Sequence, residues 1–490
     1  MEQTLLEGKP VQKTKTRPKL FWLGLILTFL CSTLSFGYNY WLPEQMFWDE
    51  NYHIASAYKY INGVFFMEQH PPLGKLLIAF AEKIWGGNNA LDTSKFLEVD
   101  HIDDIPKGFS FLALRFPGVI FAILSSVVFY QILFLILSNG FLAWLCSLLF
   151  VLDNAIILQS RSAMLEAPQL FFIFIALYLY FRSVLLNKSG WPTWILFGIV
   201  FGAAISIKLN SAIILLLIIF MGFAELKRQS KFSILCKIST ALMIAFIILV
   251  SSYYAHFRLA RRIMGKDYEV SSGYKEILKS NNSSLSAFIA TAYDFTEFID
   301  RYNSGVPRLK GDTPKENGSH PIFWPLGKKS ISYRWDKTSD GEVKYLKLQC
   351  NPCGWFLALL SIITAISAIS ARRLYSVNFS DKTTYFLMES SALIYLSYML
   401  VMFNMGRVMY LYHYFIPLCL CFIIGILFLR LKFPEERFSM KFSFCISCLA
   451  LAQIICFFYF MPFTYHLPLS AQEFVDRSWL EIWRNELILW

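Results

Sequence analysis

Eleven stretches of this chain are apolar enough to lie in a bilayer, and that constrains the fold before any other feature is weighed. A spanning helix needs about 20 predominantly apolar residues. Such runs lie at 20–40, 109–137, 141–158, 164–185, 191–207, 209–225, 234–255, 354–371, 385–403, 410–429 and 441–461, the third and fifth being short. Lipid offers a backbone no hydrogen-bond partners, so each run is expected to be helical. The predicted class is an all-α polytopic membrane protein with about 11 transmembrane helices. Composition agrees, since only 16% of residues are charged, against roughly a quarter in a soluble domain. The run from Leu20 is long enough to span, and no small-residue cleavage site stands out after it, so it reads as a retained first helix.

The formal net charge of +11 follows topology rather than nucleic acid. No basic helix or RNA-binding signature accompanies it, and Lys and Arg gather at the ends of apolar runs. Lys9, Lys13, Lys15, Arg17 and Lys19 place the 1–19 tail in the cytoplasm by the positive-inside rule. Alternation then puts Arg182/Lys188, Lys227/Arg228/Lys231, Arg372/Arg373/Lys382 and Arg430/Lys432/Arg437 inside as well. Only the turn at 138–140 lacks a charge.

The predicted layout has spans one to seven in a catalytic region at 20–255, interrupted by an external loop at 42–108. A second external loop occupies 256–353, spans eight to eleven 354–461, and an external tail 462–490. The second loop opens on Arg258, Arg261, Arg262 and Lys266, but long loops translocate largely regardless of charge.

In the first loop, 52–66 and 71–85 carry apolar residues at helical spacing, as helices lying on a membrane surface do. Pro71 and Pro72 suit the first turn of the second helix. The stretch 303–330, rich in Gly, Pro, Asn and Ser, reads as irregular. Eight of the ten Cys lie in apolar runs as small hydrophobes. Cys350 and Cys353 form CNPC at the loop edge, which would allow a disulfide in an oxidising compartment. The second ligand pair that zinc would need is missing, and neither metal nor cofactor is expected.

The residues able to carry chemistry collect on one side. Asp49 and Glu50 are adjacent carboxylates just past the first span, suited either to general-base work on a hydroxyl or to a solvated loop entry. His70 and Lys75 open the second loop helix, where a helix N-terminus also favours an anion; a cap with a snorkelling Lys is the plainer alternative. Asp153 and Asn154 lie inside an apolar run, where an ionisable group is either functional or a packing contact. Arg161 and Glu166 follow at the external end, where an ion pair between them is expected. Arg115, Lys208, Arg407 and His413 map to the same external face, and the tyrosines around His413 suit an interfacial belt. A carboxylate facing several cations at a lipid interface is what transfer from a lipid phosphate needs: a base for the acceptor and positive charge for the leaving phosphate.

These residues resemble the protein O-mannosyltransferase family, with its C-type glycosyltransferase fold. The resemblance runs in family order from residue 47 to about 417. It includes the Asp-Glu pair, HPPLGK (70–75), LDNAIILQSRSAMLEAPQLFF (152–172), GAAISIKLNS (202–211), WPLGKKSISYRW (324–335) and YLYHYFIP (410–417). It implies a polyprenyl- or dolichyl-phosphate-linked mannose donor, Ser/Thr acceptors on a translocated protein, inversion at the sugar carbon and an extracytoplasmic site. Asp49 would be the base and Glu50 an acceptor contact or partner of the base. His70, Lys75, Arg115, Arg161, Lys208, Arg407 and His413 would serve the donor, or the arginines would tie helices together. Asp153, Asn154 and Glu166 would be structural.

Eukaryotic members carry a β-trefoil MIR domain in the middle loop, for which 256–353 is too short. The resemblance therefore implies a bacterial-type member in a plasma (inner) membrane. Glu166 stands where many relatives have Asp. Two other readings compete. One is transfer to a lipid or glycan, as in lipid A aminoarabinose transferases, which typically lack HPPLGK. The other is a transporter, which would need charges near the centres of several spans.

Overall fold

The computed structural model describes residues 19–226, 228–264, 268–309, 316–433 and 440–483. The tail before Lys19, Lys227, Lys266, Arg437 and the residues from 484 onward lie outside the described residues, as do 310–315 of the stretch expected to be irregular.

Helix α1 (Lys19–Gly37) leads to two loop helices, α2 (Glu50–Asn62) and α3 (Leu73–Trp85). A run of helices follows: α4 (Leu112–Leu137), α5 (Gly140–Val151), α6 (Asn154–Ser160), α7 (Glu166–Leu186), α8 (Trp191–Ile205), α9 (Leu215–Glu225) and α10 (Lys231–Leu259). The second long loop holds α11 (Ser272–Lys279), α12 (Leu285–Ala290), α13 (Ala292–Gly305) and strands β1 (Ser332–Lys337) and β2 (Val343–Lys347). Helices α14 (Pro352–Tyr375), α15 (Lys382–Phe403), α16 (Phe415–Lys432) and α17 (Met440–Tyr465) precede a two-residue β3 (Pro468–Leu469) and α18 (Ala471–Asp476).

Eight described helices are long and apolar enough to cross a membrane, and a ninth crossing results if α5 and α6 count as one span. Each of the eleven expected runs is helical. Those at 191–207 and 209–225 contain α8 and α9, which are apolar but shorter. Helix α5 begins where Asn139 accepts from the Phe141 and Leu142 amides, filling two of the four donors a helix start leaves open. Its Gly140 lies against α1 so closely that a Cβ there would strike the Leu20 carbonyl. Small residues at such crossings let transmembrane backbones approach where apolar side chains gain nothing over lipid.

The run expected as a single span at 141–158 is broken. Helices α5 and α6 meet at 66° around Leu152 and Asp153. A break inside a bilayer frees carbonyls and amides that no water can satisfy. Side chains from far away fill them: Asn351 and Gln453 donate to the Leu152 carbonyl at 3.0 and 3.1 Å. The Asp153 carboxylate caps the Ile156 amide at 3.0 Å and accepts from the Trp355 indole at 2.8 Å. Asn154 donates to Thr464 Oγ1 at 2.9 Å. Asp153 and Asn154 thus make packing contacts at the break.

The helical class holds, with a small antiparallel sheet added in the order β1-β2-β3, in which Trp335 lies opposite Tyr345 and Val343 opposite Leu469. This sheet joins the second loop to the segment after α17, and an isolated bridge from Val64 to Arg262 joins the first loop to the second. All three expected external segments therefore share one side of the molecule.

Helix α2 is not a surface helix. Nine of its thirteen residues are buried, because α3, the second loop and residue 163 cover it. Helix α3 does expose an apolar edge at Phe80, Ile84 and Trp85. It starts at Leu73, so Pro72 is its cap rather than part of its first turn. Cys350 and Cys353 are free thiols, with Cys350 buried against Gly327.

Candidate active site

The site is built on the turn that follows α1. Trp48 takes a left-handed backbone, φ 53°, a conformation that costs a bulky residue on the order of 1–3 kcal/mol. Aromatic contacts hold it: its ring stacks on Tyr333 of β1 at 5.0 Å and meets the edge of Tyr410 at 5.2 Å. The turn delivers Asp49 and Glu50 to the start of α2 with their side chains in different surroundings.

Glu50 is fully buried and fully used. Arg115 Nε and Nη2 bind its two carboxylate oxygens at 2.8 and 2.9 Å, and the Ala163 and Phe47 amides donate at 2.9 and 3.2 Å. Arg115 sends its remaining hydrogen bonds to the carbonyls of Trp41, Pro43 and Gln45. A guanidinium has five N–H groups, and here five hydrogen bonds consume them. The pair therefore locks the turn to α4 and to the 161–165 segment. Neither residue has a polar group free for acceptor or donor, so Arg115 takes the helix-tying alternative and Glu50 is its partner.

Asp49 is left open. It is half-buried, and the hydrogen bond its carboxylate receives comes from the Tyr412 hydroxyl, at 3.3 Å. Burial, and then the Glu166 charge, push its pKa up to about 6, while Lys208, Tyr412 and Lys75 pull the other way. Tyr412 and Tyr414 are buried, so the belt expected for these tyrosines is corrected: Tyr412 lines the site, and Tyr414 packs inside the bundle on Trp355 and Tyr395.

Beyond Tyr412 the polar side chains form one connected chain. Lys208 Nζ lies 5.4 Å from the Tyr412 ring and is ion-paired with Glu166. Glu166 also accepts from Gln159 at 2.8 Å, and Gln159 accepts from the Tyr333 hydroxyl at 2.6 Å. Tyr333 returns the chain to Trp48. Glu166, Gln169, Lys208, Asn210, Tyr412 and His413 line a narrow pocket. The expected Arg161–Glu166 ion pair is absent, because Lys208 takes Glu166. Arg161 binds the carbonyls of Thr464, Tyr38 and Asn39 and covers the Tyr465 ring at 4.4 Å, so it ties α1 to the end of α17.

The HPPLGK segment enters from the side. Its Gly74 is a close-approach position: a Cβ there would sit 2.7 Å from Leu165 and 3.2 Å from Ile207. Lys75 is buried and ion-paired with Glu68, and it also donates to Ser56 at 3.1 Å. That pairing differs from the head-group contact expected of it. His70 is half-buried and faces the charges of Lys208, Lys75 and Arg407; burial, followed by these cations, holds its pKa well below the usual histidine value. His53, held down to about 3 first by burial and then by Lys75, faces the Ala163 carbonyl through Nδ1 at 2.9 Å. Both imidazoles are therefore neutral near pH 7.

Arg407 donates through Nη1 to Asn303 at 2.8 Å, and its Nε–H has no partner among the described residues. His413 contacts the Tyr410 carbonyl through Nδ1 at 3.0 Å and lies between Tyr412 and Trp324. Among the described residues no His, Cys, Asp or Glu cluster is arranged to hold a metal ion.

The structure thus brings Asp49, His70, Lys208, Glu166, Arg407 and His413 around one cleft. Glu50, Arg115, Arg161 and Lys75 form its frame, and Asp153 and Asn154 lie at the α5–α6 break. Sequence reasoning assigned no role to Trp48, Tyr333 or Gln159, although SISYRW and QSR contain two of them.

Residues 26–261 match the family described as dolichyl-phosphate-mannose-protein mannosyltransferase, and residues 301–483 match the C-terminal four-transmembrane region of protein-O-mannosyltransferase. Dolichyl-phosphate-mannose–protein mannosyltransferase 5 of Saccharomyces cerevisiae is 27% identical over 172 residues, 35% of this chain and 22% of that protein. Mannosyltransferase 6 of the same description from Candida albicans is 23% identical over 337 residues, 62% of this chain and 38% of that protein. The matched segments span well under half of these relatives. The fold is similar to that of the S. cerevisiae protein O-mannosyltransferase Pmt1-Pmt2 complex bound to the sugar donor, with a TM-score of 0.81 at 15% identity over 95% of this chain and 93% of that one.

Proposed function

The chain belongs to the protein O-mannosyltransferase family, and we propose that it moves a mannosyl residue from a polyprenyl- or dolichyl-phosphate donor to Ser or Thr hydroxyls of exported protein. The observation that carries this reading is the division of labour in the Asp-Glu pair. Glu50 is consumed by Arg115, while Asp49 stands half-buried and receives, among the described residues, only the Tyr412 hydroxyl, facing a cationic cleft. The positive-inside pattern of the sequence supports an extracytoplasmic position for this cleft.

In the proposed reaction the acceptor oxygen attacks the anomeric carbon from the face opposite the phosphate. The new C–O bond forms as the bond to the phosphate oxygen breaks, and that oxygen leaves with the electron pair. The hydroxyl proton passes to Asp49, whose pKa of about 6 suits a base working near neutrality. Inversion at the anomeric carbon follows. Negative charge grows on the lipid phosphate, and Arg407 is assigned to it because its Nε–H has no partner among the described residues. Lys208 completes the cationic wall, Glu166 holds it in place, and the neutral His70 imidazole stands beside it.

The test uses the full chain in nanodiscs, a polyprenyl-phosphate mannose donor and a Ser/Thr peptide. Asp49→Asn keeps the side chain's size but cannot take the proton. Transfer is expected to fall by at least about 10²-fold, the usual loss with a general base, while donor binding persists. Near-normal turnover in that variant would remove Asp49 from the role. Sugar delivered to lipid, with the peptide unmodified, would instead favour a lipid acceptor.

A further inference from the structure

Helices α12 and α13 share an arrangement that the transfer chemistry does not use. Their inner face is Phe288, Thr291 and Phe295, all buried. Their outer face is Leu285, Ile289 and Tyr293, which are 59, 63 and 72% exposed. Leu285 and Ile289 lie four residues apart on α12, and Tyr293 follows at the same spacing in the first turn of α13, across Thr291, whose backbone (φ −89°, ψ −5°) stays in the helical region. Singly exposed apolar residues need no explanation, but an aligned run on a loop does.

Where the stripe sits follows from α10. Phe288 packs on Tyr254 at 5.3 Å and on Phe257 at 5.6 Å, and Phe295 packs on Tyr253 at 5.6 Å. The Tyr254 hydroxyl donates to the Ser283 carbonyl at 3.3 Å. Helix α10 exposes Phe232, Leu235, Leu242, Met243, Phe246 and Ile247 lower down. Two turns of helix, seven residues, return nearly to the same face. Tyr253, Tyr254 and Phe257 therefore continue the stripe that begins with Phe246, Ile247 and Val250. From Phe232 to Tyr254 is 22 steps, about 33 Å of helix at 1.5 Å per residue, against a hydrocarbon core of about 30 Å. The tyrosines thus fall at the level of the head groups, where tyrosine rings are enriched. Helices α12 and α13 rest on the lipid-facing side of α10 at that height, overhanging the bilayer. Exposed Lys279, at the end of α11, and exposed Arg258, which donates to the Ser283 carbonyl just before α12 at 3.4 Å, both precede the stripe and carry charge suited to lipid phosphates.

We infer that α12 and the first turns of α13 lie on the lipid leaflet of the loop side, with Leu285, Ile289 and Tyr293 in the boundary between head groups and acyl chains. The occupant of this face is the bilayer surface and not a second copy of the chain, because the face is continuous with a lipid-facing stripe. Helix α13 runs from this contact to Asn303, the partner of Arg407, so one helix joins the membrane surface to the rim of the cleft.

The experiment places p-benzoylphenylalanine at position 289 of the full chain in nanodiscs of a single phospholipid, irradiates, and reads the intact mass. The same replacement of Phe246 supplies a lipid-facing reference, and that of Ser339, exposed on the hairpin turn, a solvent reference. The expected result is a mass gain of one phospholipid at 289 and at 246, and none at 339. A cross-linked dimer at 289, or no lipid adduct there while 246 gives one, overturns the inference. Replacements at Leu285 and Tyr293, made separately, provide the same reading if the variant at 289 does not fold.

Discussion

Replacing Tyr412 with Phe tests the proposed base without touching it. The substitution keeps the ring beside Lys208 and removes the hydroxyl that donates to Asp49 at 3.3 Å. A hydrogen bond to a charged group contributes about 1.5–3 kcal/mol, and the length of this one places it at the lower end. One pH unit corresponds to about 1.4 kcal/mol, so the pKa of Asp49 is expected to rise by about one unit from its value of about 6. The sign follows from the bond: it favours the ionised carboxylate, so its loss raises the pKa, and the active, deprotonated fraction shrinks at any given pH. The groups around Asp49 that also set this value are Glu166, which raises it, and Lys208 and Lys75, which lower it; none is altered. At pH 6 the wild type is about half ionised and the variant about one tenth, a deficit of roughly fivefold that closes by about pH 9. The assay is kcat/KM for peptide mannosylation from pH 5 to 9. An acid limb that stays where the wild type has it, with activity reduced equally at all pH values, would refute the assignment of Tyr412 and Asp49 as a working pair.

Three further outcomes are expected. Glu50→Gln strips the buried Arg115 of its counter-charge, and breaking such a pair costs about 3–5 kcal/mol; a lowered unfolding temperature in nanodiscs checks this, and an unchanged one would mean that the turn does not depend on the pair. Arg407→Lys keeps the charge but loses the unpaired Nε–H, and turnover should fall by the few kcal/mol typical of a charge-stabilising donor, with donor affinity less affected; wild-type kcat would rule out the phosphate contact. Maleimide labelling of single cysteines placed at the exposed Ser94, Ser339 and Ser230 should modify the first two from outside intact cells and spare the third, and labelling of Ser230 alone would reverse the orientation.

The spans were legible because each is an unbroken apolar run, and a helix is the only single segment that satisfies its own backbone in lipid. The break between α5 and α6 was harder to see: the run from 141 to 158 is apolar on both sides of Asp153 and Asn154, and two polar residues inside a span do not by themselves mark a bend. The Asp-Glu pair was visible as chemistry, but not its division. That division depends on Arg115, 65 residues away, and on the Ala163 amide, 113 away. Lys75 and Lys208 read as free cations because Glu68 and Glu166 become their partners only when the chain folds. The aromatic run at 410–414 has the composition of a belt, and only packing against Asp49 and Lys208 shows that it faces inward. Residues 331–335 alternate as a strand does, a signal outweighed by the Gly, Pro and Ser that precede them.

The α5–α6 break also bears on how the chain is made. Its Leu152 carbonyl is satisfied by Asn351 and Gln453, and Asn154 by Thr464, partners 199 to 310 residues further along. At synthesis rates of about 5–20 residues per second, the last of these emerges roughly 15–60 s after the third apolar run. Until then that run sits in the membrane with open polar groups, each costing several kcal/mol in hydrocarbon. The insertion machinery must shelter it, or it must insert late. A ribosome stalled before residue 351 therefore holds a segment exposed to membrane quality control, however sound the final bundle.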